Sequence, residues 1–259
     1  FSFLKAYSMS EKRKIFAKKI SEEIVLDGEI TESFWGDAQV SSGFVQYSPR
    51  DSIPAELQSE FRVAYDDKFL YIVAQMEDIP EKKFIIGDLK RDFFGGSVDY
   101  MSFTFDTFQD ETNGYMFGIS PFGVQREALL SNGGEGSYNS GGGSRGGSGW
   151  FNINWNTKWY SEVKLYDGYW IAEFKIPFNS LRYKEGTKVW NFNSYRGNSK
   201  INENSVWTII PLGFTPANLS MTGEIEFEFP LEKSSQNLVL IPYMSGSGIR
   251  NKVSSPEKD

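Results

Sequence analysis

The chain has 259 residues, of which 39% are hydrophobic and 16% aromatic, and its formal net charge is −7. This composition provides enough apolar side chains for a folded core, and the negative charge argues against nucleic acid as a partner, because phosphate binding requires a basic face. The absence of Cys and His excludes disulfides, thiolate metal sites, Ser-His-Asp triads and HExxH zinc sites. No apolar run approaches the roughly 18 residues of a membrane-spanning helix.

Helical patterns are scarce and short. We assign residues 1–20 to an N-terminal extension, in which the segment SEKRKIFAKK (10–19) predicts a turn or two of helix. The segment EITESFWGDA (29–38) predicts a second short helical turn. From there to residue 232 the chain is dominated by strand patterns.

These strand patterns have a period of two, which is typical of strands with one buried face. The stretch 60–76 predicts two strands joined by a turn at residues 66–68, and Asp167–Gly168 forms a favourable hairpin turn before another strand. In SVDYMSFTFD (97–106) alternate residues fall on opposite faces, with Met101, Phe103 and Phe105 against Tyr100, Ser102 and Thr104. The other side chains predicted to share a face are Phe61, Val63, Tyr65, Leu70, Ile72, Ala74, Trp170, Ala172, Phe174 and Ile176.

About ten such strands follow one another without a helix-length crossover, which predicts an all-β fold and an antiparallel β-sandwich with very little helix. We assign residues 21–232 to this single domain, because one complete set of strands is visible. Trp35, Trp170 and Trp190 lie in alternating runs and are predicted to be in the core.

A glycine-rich stretch, SNGGEGSYNSGGGSRGGSGW (131–150), interrupts the strands. It is not a phosphate-binding loop, since no Lys follows the glycines and the next residues do not begin a helix. Because the strand patterns on both sides belong to one sandwich, we interpret residues 131–149 as a loop inserted in a single domain. The loop delivers Trp150 to the rim, which makes it a candidate flap over a binding site.

Without His or Cys, catalysis would depend mainly on carboxylates, and a glycoside hydrolase needs two of them roughly 5 to 10 Å apart. Glu127, Glu173 and Glu203 occur in strand-like contexts, but the sequence does not pair them. Charged residues in strands usually lie on the solvated face. We therefore predict a protein that is not an enzyme.

The turn DTFQDETNGY (106–115) is dense in oxygen ligands. Asp106, Asp110, Glu111 and Asn113 are of the type that Ca²⁺ prefers, although their spacing is not that of an EF-hand. We predict a structural calcium site at these four residues. The alternative is an ordinary acidic turn, in which the side chains bond to the backbone.

Three tryptophans, Trp150, Trp155 and Trp159, cluster directly after the glycine-rich loop. Aromatic faces at the rim of a sandwich stack on sugar rings, because they present apolar area with polar edges nearby. The alternative is that at least two of the three are buried.

The order of several segments resembles that of a known protein family. IVLDGEITESFW (24–35) and FRVAYDDKFLYIVAQMED (61–78) resemble the opening segments of family 9 carbohydrate-binding-module domains. The remaining motifs resemble one branch of that family, which forms the N-terminal domain of large outer-membrane β-barrel proteins. They are Arg91–Asp92, the acidic turn at 106–115, GVQ (123–125), WNTKW (155–159), YWIAEFKIPFNSLRY (169–183), Trp190, Asn193, Arg196, Asn202–Glu203 and Trp207.

The resemblance implies a sandwich of the family 9 type that binds glycan and holds calcium. We expect the ligand surface to be formed by Trp150, Trp159, Tyr115, Arg196 and Arg91, with arginine supplying a planar fork for sugar hydroxyls or carboxylates. Two positions depart from the branch, which often has Asp where this chain has Asn156 and Arg where it has Lys200.

The branch also implies a place for the protein, outside the cytoplasm and attached to the outer membrane on its periplasmic or cell-surface side. Residues 233–259 are then an exit segment that begins a barrel. The expected partners are a glycan or oligosaccharide and an outer-membrane β-barrel, either the chain's own C-terminal region or another protein. The competing hypothesis is a protein-protein interaction or gating domain that packs on such a barrel and has no sugar site.

Overall fold

The computed structural model describes residues 12–22, 24–84, 89–93, 95–136 and 149–232. Within these ranges the chain forms 13 strands and one short α-helix. In chain order they are β1 (Lys14–Lys19), α1 (Ser33–Asp37), β2 (Val45–Ser48), β3 (Ser59–Tyr65), β4 (Phe69–Glu77), β5 (Tyr100–Asp106), β6 (Gly114–Ile119), β7 (Gln125–Leu130), β8 (Phe151–Asn152), β9 (Tyr160–Tyr166), β10 (Tyr169–Pro177), β11 (Val189–Asn198), β12 (Glu203–Val206) and β13 (Gly223–Phe227). Single 3₁₀ turns lie at Gly95–Ser97, Asn132–Gly134, Phe178–Ser180 and Leu219–Met221.

The strands form two layers that share β1. The layer called here the front sheet has the order β8-β7-β6-β5-β11-β13, with β12 and β2 continuing from β11. The layer called the back sheet has the order β3-β4-β10-β9. The predicted all-β sandwich is therefore confirmed, and the helical turn predicted within residues 29–38 is α1.

An aromatic core fills the space between the sheets. The ring centre of Phe103 on β5 lies 5.4 Å from that of Phe61 on β3 and 5.0 Å from that of Phe174 on β10. Every side chain that strand alternation placed on the apolar faces is at most 2% exposed, and so are Trp35, Trp170 and Trp190. Burial of each large apolar side chain contributes about 1.5–3 kcal/mol, so this core dominates the stability of the sandwich.

The helix predicted for residues 10–19 is wrong over the part of it that the structure describes. Lys14–Lys19 form β1, in which Ile15 and Ala17 are buried and Phe16 is 51% exposed, the alternation of a strand. β1 pairs parallel with β13 through its first four residues and with β3 through its last two. The sandwich therefore includes residues that we assigned to the N-terminal extension, and its pairing is mixed rather than purely antiparallel.

A segment between β1 and β2 covers the outer face of the back sheet. This cover segment, residues 20–22 and 24–38, includes α1. It packs its buried side chains Ile20, Ile24, Phe34, Trp35 and Ala38 against Ala64, Tyr71, Val73 and Ile171 of β3, β4 and β10. The back sheet is thus buried on both sides.

The glycine-rich loop connects two paired strands of the front sheet. β7 ends at Leu130, which pairs with Phe151 of β8, and the backbone N–H of Ser131 donates to the carbonyl of Trp150 (2.9 Å). Residues 137–148 of the predicted flap, residues 1–11 of the extension and the whole exit segment lie outside the described residues. In the described ranges, no helix has the length and apolar character needed to cross a membrane.

Candidate functional site

Four side-chain positions line up across the outer face of the front sheet. Tyr195 on β11 pairs with Ser102 on β5, Ser102 pairs with Gly118 on β6, and Gly118 pairs with Arg126 on β7. Two large side chains therefore stand at the ends of the row, with two of the smallest residues between them. Since neighbouring strands lie about 4.8 Å apart, the three spacings of the row add up to roughly 14 Å.

The small residues form the floor of a shallow depression, called here the groove. It encloses about 370 Å³ when the open space above it is included. Its lining combines aromatic side chains (Tyr100, Trp150, Phe151 and Tyr195), polar ones (Ser102, Thr104 and Arg126) and apolar ones (Met116, Pro216 and Ala217). Apolar and aromatic walls with a few placed polar groups are characteristic of small-ligand sites.

Glycine keeps this groove open at two positions. A Cβ atom on Gly118 would lie 3.2 Å from Cβ of Ser102, and one on Gly95 would lie 2.5 Å from Nη1 of Arg126. The Gly95 Cβ would also come within 2.8 Å of the Tyr100 ring. A side chain at either glycine would therefore fill the floor or displace the residues that line it.

Tyrosine rings form the wall at the β11 end. The ring centres of Tyr100 and Tyr195 are 5.5 Å apart, and Tyr47 packs edge-on at 6.4 Å from Tyr195. Tyr195 is partly exposed, so some of its ring faces solvent. A half-buried tyrosine offers an apolar face beside a hydroxyl group, a combination suited to a sugar ring.

Arg126 forms the opposite end of the groove and is held among aromatic rings. Its guanidinium carbon lies 5.1 Å from the ring centre of Phe151 and 5.7 Å from those of Phe93 and Tyr100. These cation–π contacts orient the guanidinium group without neutralising its charge.

Glu127, the next residue on β7, points to the other side of the sheet and is fully buried. Its carboxylate accepts hydrogen bonds from Nε of Arg91 (3.1 Å), Nε1 of Trp159 (3.2 Å) and the backbone N–H of Thr157 (3.4 Å). Arg91 makes a second bond to the same carboxylate through Nη2, although 42% of its side chain is exposed. Arg91 and Trp159, both predicted ligand-binding residues, are thus engaged with a buried carboxylate.

Trp159 and Tyr115 lie on the core side of the sandwich. Trp159 is 4% exposed and stacks on Phe174, with ring centres 5.5 Å apart and an interplanar angle of 8°. Tyr115 packs against Trp155 at 5.3 Å, and its hydroxyl accepts a hydrogen bond from the backbone N–H of Arg182 (3.0 Å). Burial raises the pKa of Tyr115 above the ordinary value.

Arg196 is enclosed in the interior, with 2% of its surface exposed. Its Nη1 donates to the carbonyls of Leu57 (3.1 Å) and Gln58 (3.2 Å) and to Oγ of Ser59 (3.0 Å), while Nη2 donates to the carbonyl of Glu77. Burial lowers the pKa of Arg196 to about 10. The guanidinium group bridges β11 to the edge of the back sheet and does not border the groove.

The three glutamates predicted to lie on a solvated face are buried instead, each satisfied by a different segment. Besides Glu127, Glu173 is 1% exposed and Glu203 4% exposed. One oxygen of Glu173 accepts the backbone N–H groups of Asp27 (2.9 Å) and Gly28 (2.7 Å) in the cover segment. Burial raises the pKa of Glu173 to about 7.

Glu203 ties β12 to the region around β2. It accepts hydrogen bonds from Nε2 of Gln46 (2.5 Å) and from the backbone N–H of Glu56 (3.2 Å), and burial raises the pKa of Glu203. The prediction of solvation failed because it weighed charge alone, whereas loops that cross the sheet faces supply hydrogen-bond donors to these carboxylates.

The acidic turn does not gather its side chains around one point. Asp106 is fully buried, and its carboxylate already accepts the backbone N–H groups of Phe108, Asp110 and Glu111 and the side-chain amide of Asn191. Asp110, Glu111 and Asn113 are exposed. In the described part of the chain, no three acidic side chains form a group able to hold a metal ion. The four predicted ligands are therefore not gathered around one point, and calcium binding at this turn stays a prediction.

Of the five predicted ligand-binding residues, Trp150 borders the groove and the other four do not. Trp150 is 5% exposed and packs with Met116, Ala128, Leu130 and Leu219 on the outer face of the front sheet. The structure thus does not bring the five side chains onto one surface. The groove residues that the sequence did not suggest are Tyr100, Arg126, Phe151 and Tyr195. Only Tyr100 had a signal, as an outward position of the alternating segment 97–106.

The sequence matches no protein-family model and no curated protein sequence. The fold is similar to solved carbohydrate-binding domains. A family 9 carbohydrate-binding module from Caldicellulosiruptor kristjanssonii in complex with glucose is 16% identical, with a TM-score of 0.56 over 87% of this chain and 99% of that module.

Two further solved structures are similar in fold to this chain. A family 9 module from the same organism in complex with cellotriose is 15% identical, with a TM-score of 0.54 over 89% of this chain and 100% of the module. A candidate carbohydrate-binding protein from Bacteroides uniformis is 13% identical, with a TM-score of 0.60 over 84% of this chain and 100% of that protein. The fold is therefore that of a family 9 carbohydrate-binding module.

Proposed function

We propose that the protein is a non-catalytic domain that binds a glycan in the groove. The observation that carries the proposal is the row Tyr195, Ser102, Gly118 and Arg126 on the outer face of the front sheet. It supplies an aromatic wall at one end and a cation at the other, with a floor of small residues that includes the Ser102 hydroxyl. The similar modules with bound glucose and cellotriose support a saccharide as the ligand class.

The test is titration of the 259-residue chain with a broad oligosaccharide panel that includes glucose and cellotriose. Trp150 borders the groove, so its fluorescence provides a signal alongside calorimetry. We expect Tyr195→Ala to weaken binding about tenfold, because stacking on one aromatic ring contributes roughly 0.5–1.5 kcal/mol beyond area burial.

The matched control is Tyr169→Ala. Tyr169 is a partly buried tyrosine on the back sheet that stacks on Tyr166 at 4.7 Å and does not border the groove. Its removal should leave the affinity unchanged. If no saccharide in the panel binds at millimolar concentration, the glycan function is rejected. Equal weakening by both substitutions would reject the groove as its site.

The proposal extends to where the domain acts. The motif order resembles the outer-membrane branch of the family, so we place the domain outside the cytoplasm, next to a barrel formed by its own continuation or by a partner. Membrane fractionation of the native host, followed by protease treatment of intact cells, tests this placement. Recovery of the full-length protein in the cytoplasmic fraction would contradict it.

One observation favours a protein partner as a second candidate. Ile209, Leu212 and Phe214 follow β12 and are 53%, 50% and 41% exposed, close in sequence to the groove residues Pro216 and Ala217. Exposed apolar side chains grouped in this way are typical of interaction sites. Replacing all three by Ser would abolish a protein complex and leave saccharide binding intact, so the two candidates are separable.

A further inference from the structure

Arg126 is a half-buried cation without an acidic partner among the described residues, and unlike the buried Arg196 it has no backbone carbonyls around its guanidinium group in their place. In the described ranges, no carboxylate oxygen lies within 4.0 Å of its guanidinium group, whereas Arg91 pairs with Glu127 and Lys200 pairs with Asp78 at 2.6 Å. The Nε atom of Arg126 is buried and has no hydrogen-bond partner among the described residues.

The acidic residue whose charge acts on Arg126 is Asp92, which already accepts a hydrogen bond from the backbone. Asp92 interacts electrostatically with Arg126, but its Oδ1 accepts the backbone N–H of Glu127 at 3.3 Å. The other acidic side chain next to Arg126 in sequence, Glu127, points to the opposite side of the sheet. Arg126 therefore retains donors and positive charge at the end of the groove.

The residues around Arg126 favour an anionic group that is attached to a ring with an apolar face. Three aromatic rings hold the guanidinium group in place, and its Nη1 packs so close to Gly95 that a Cβ atom there would lie 2.5 Å away. A planar guanidinium fork matches a carboxylate with two parallel hydrogen bonds. The tyrosine wall stands at the other end of the row, roughly 14 Å away by strand spacing, which leaves the floor between them for sugar rings.

We infer that the groove selects acidic saccharides, with the carboxylate of a uronic acid bound by Arg126 and a sugar ring packed toward Tyr195. This inference rests on the proposed function and specifies its ligand class. A hydrogen bond from a partly desolvated arginine to a charged group contributes more binding free energy than one to a neutral hydroxyl. We therefore expect the charge of the saccharide, and not the type of its ring, to determine which ligand binds most tightly.

The experiment titrates the 259-residue chain with short oligomers of galacturonic, glucuronic and mannuronic acid, each paired with its methyl ester. Esterification removes the charge and keeps the ring. We expect at least one acid to bind about tenfold or more tightly than its ester, and the difference to shrink as salt is raised. In Arg126→Gln the preference should fall to within about twofold, while Arg126→Lys, which keeps the charge without the fork, should retain part of it.

The matched control is Arg182→Gln, which removes an equal charge from an exposed arginine outside the groove. Melting temperatures of all variants verify folding. Equal affinity for acid and ester, a preference that survives Arg126→Gln, or one lost equally in Arg182→Gln would each overturn the inference while leaving glycan binding standing. Binding of sulfated sugars as tight as that of uronic acids would overturn the assignment to carboxylate. Failure of every saccharide, charged or neutral, would reject the proposed function itself.

Discussion

The outer faces of the two sheets differ in what lies against them. On the back sheet the cover segment buries a continuous apolar cluster and directs two backbone N–H groups at Glu173. On the front sheet the corresponding face carries the groove, with Tyr195 partly exposed and Arg126 unpaired within the described residues. Both faces arise from the same alternation of side chains along strands. A polar group that is satisfied inside the protein serves stability, and one left for solvent is available to a ligand.

The largest expected effect comes from uncovering the back sheet. Trp35 of the cover segment is 1% exposed, so Trp35→Ala should lower the free energy of unfolding by about 3–5 kcal/mol. Tyr195→Ala on the front sheet should cost about 1 kcal/mol or less, because the residue is partly exposed. Urea denaturation of both variants measures the difference, and equal losses would show that the two faces do not differ in this way.

The second effect is on the pH dependence of stability. The pKa of Glu173 rises from 4.5 to about 7 on folding, so between these values the folded chain holds a proton that the unfolded chain releases. The free energy of unfolding therefore falls as pH rises through this window, by about 3 kcal/mol in total. Glu173→Gln keeps an oxygen for the N–H groups of Asp27 and Gly28 and removes this contribution.

The measurement compares urea unfolding of the wild type and Glu173→Gln at pH 5 and pH 8. We expect the substitution to stabilise the protein at pH 8 relative to the wild type and to have little effect at pH 5. Burial also raises the pKa of Asp99 and Glu203, which act in the same direction and are common to both proteins. A wild type whose stability changes between pH 5 and pH 8 by the same amount as the variant's would refute the role of Glu173.

The third effect is on binding through the open face. Ser102 lies on the groove floor beside Gly118, so Ser102→Leu should fill the floor and weaken ligand binding at least about tenfold with a change in stability of about 1 kcal/mol. Ser102→Ala removes the hydroxyl and leaves the groove unfilled. Comparing the two variants distinguishes weaker binding caused by a filled groove from weaker binding caused by a lost hydrogen bond. Calorimetric titration of both variants is the measurement, and unaltered binding by Ser102→Leu would exclude the groove.

The smallest effect is expected from metal removal. Asp106 ends the outward row of β5 that begins at Tyr100, and its carboxylate is already occupied by N–H donors. EDTA should therefore shift the melting temperature by less than about 2 °C, which corresponds to about 1 kcal/mol or less for a chain of this size. A larger shift, reversed by added calcium, would restore the predicted metal site at this turn.

Sequence patterns were sufficient for the strands and the core but not for the site. Spacing alone predicted a buried face at Met101, Phe103 and Phe105. The same segment placed Tyr100, Ser102 and Thr104 opposite them, yet only register across β11, β5, β6 and β7 shows that Ser102 and Gly118 are flanked by Tyr195 and Arg126. Trp159, Tyr115 and Arg196 were chosen for their chemistry, and the pairing of strands turned them inward.

The sequence by itself determined the all-β class, the hairpin at Gly168, the core aromatics and the lack of imidazole and thiol chemistry. These follow from residue type and from period-two spacing, which are local properties of the chain. Only the tertiary structure decided that β1 joins the two sheets, that Glu127, Glu173 and Glu203 are buried, and that the outer face of the front sheet carries an open groove. These depend on which segment lies against which sheet face, and that contact joins residues far apart in the chain.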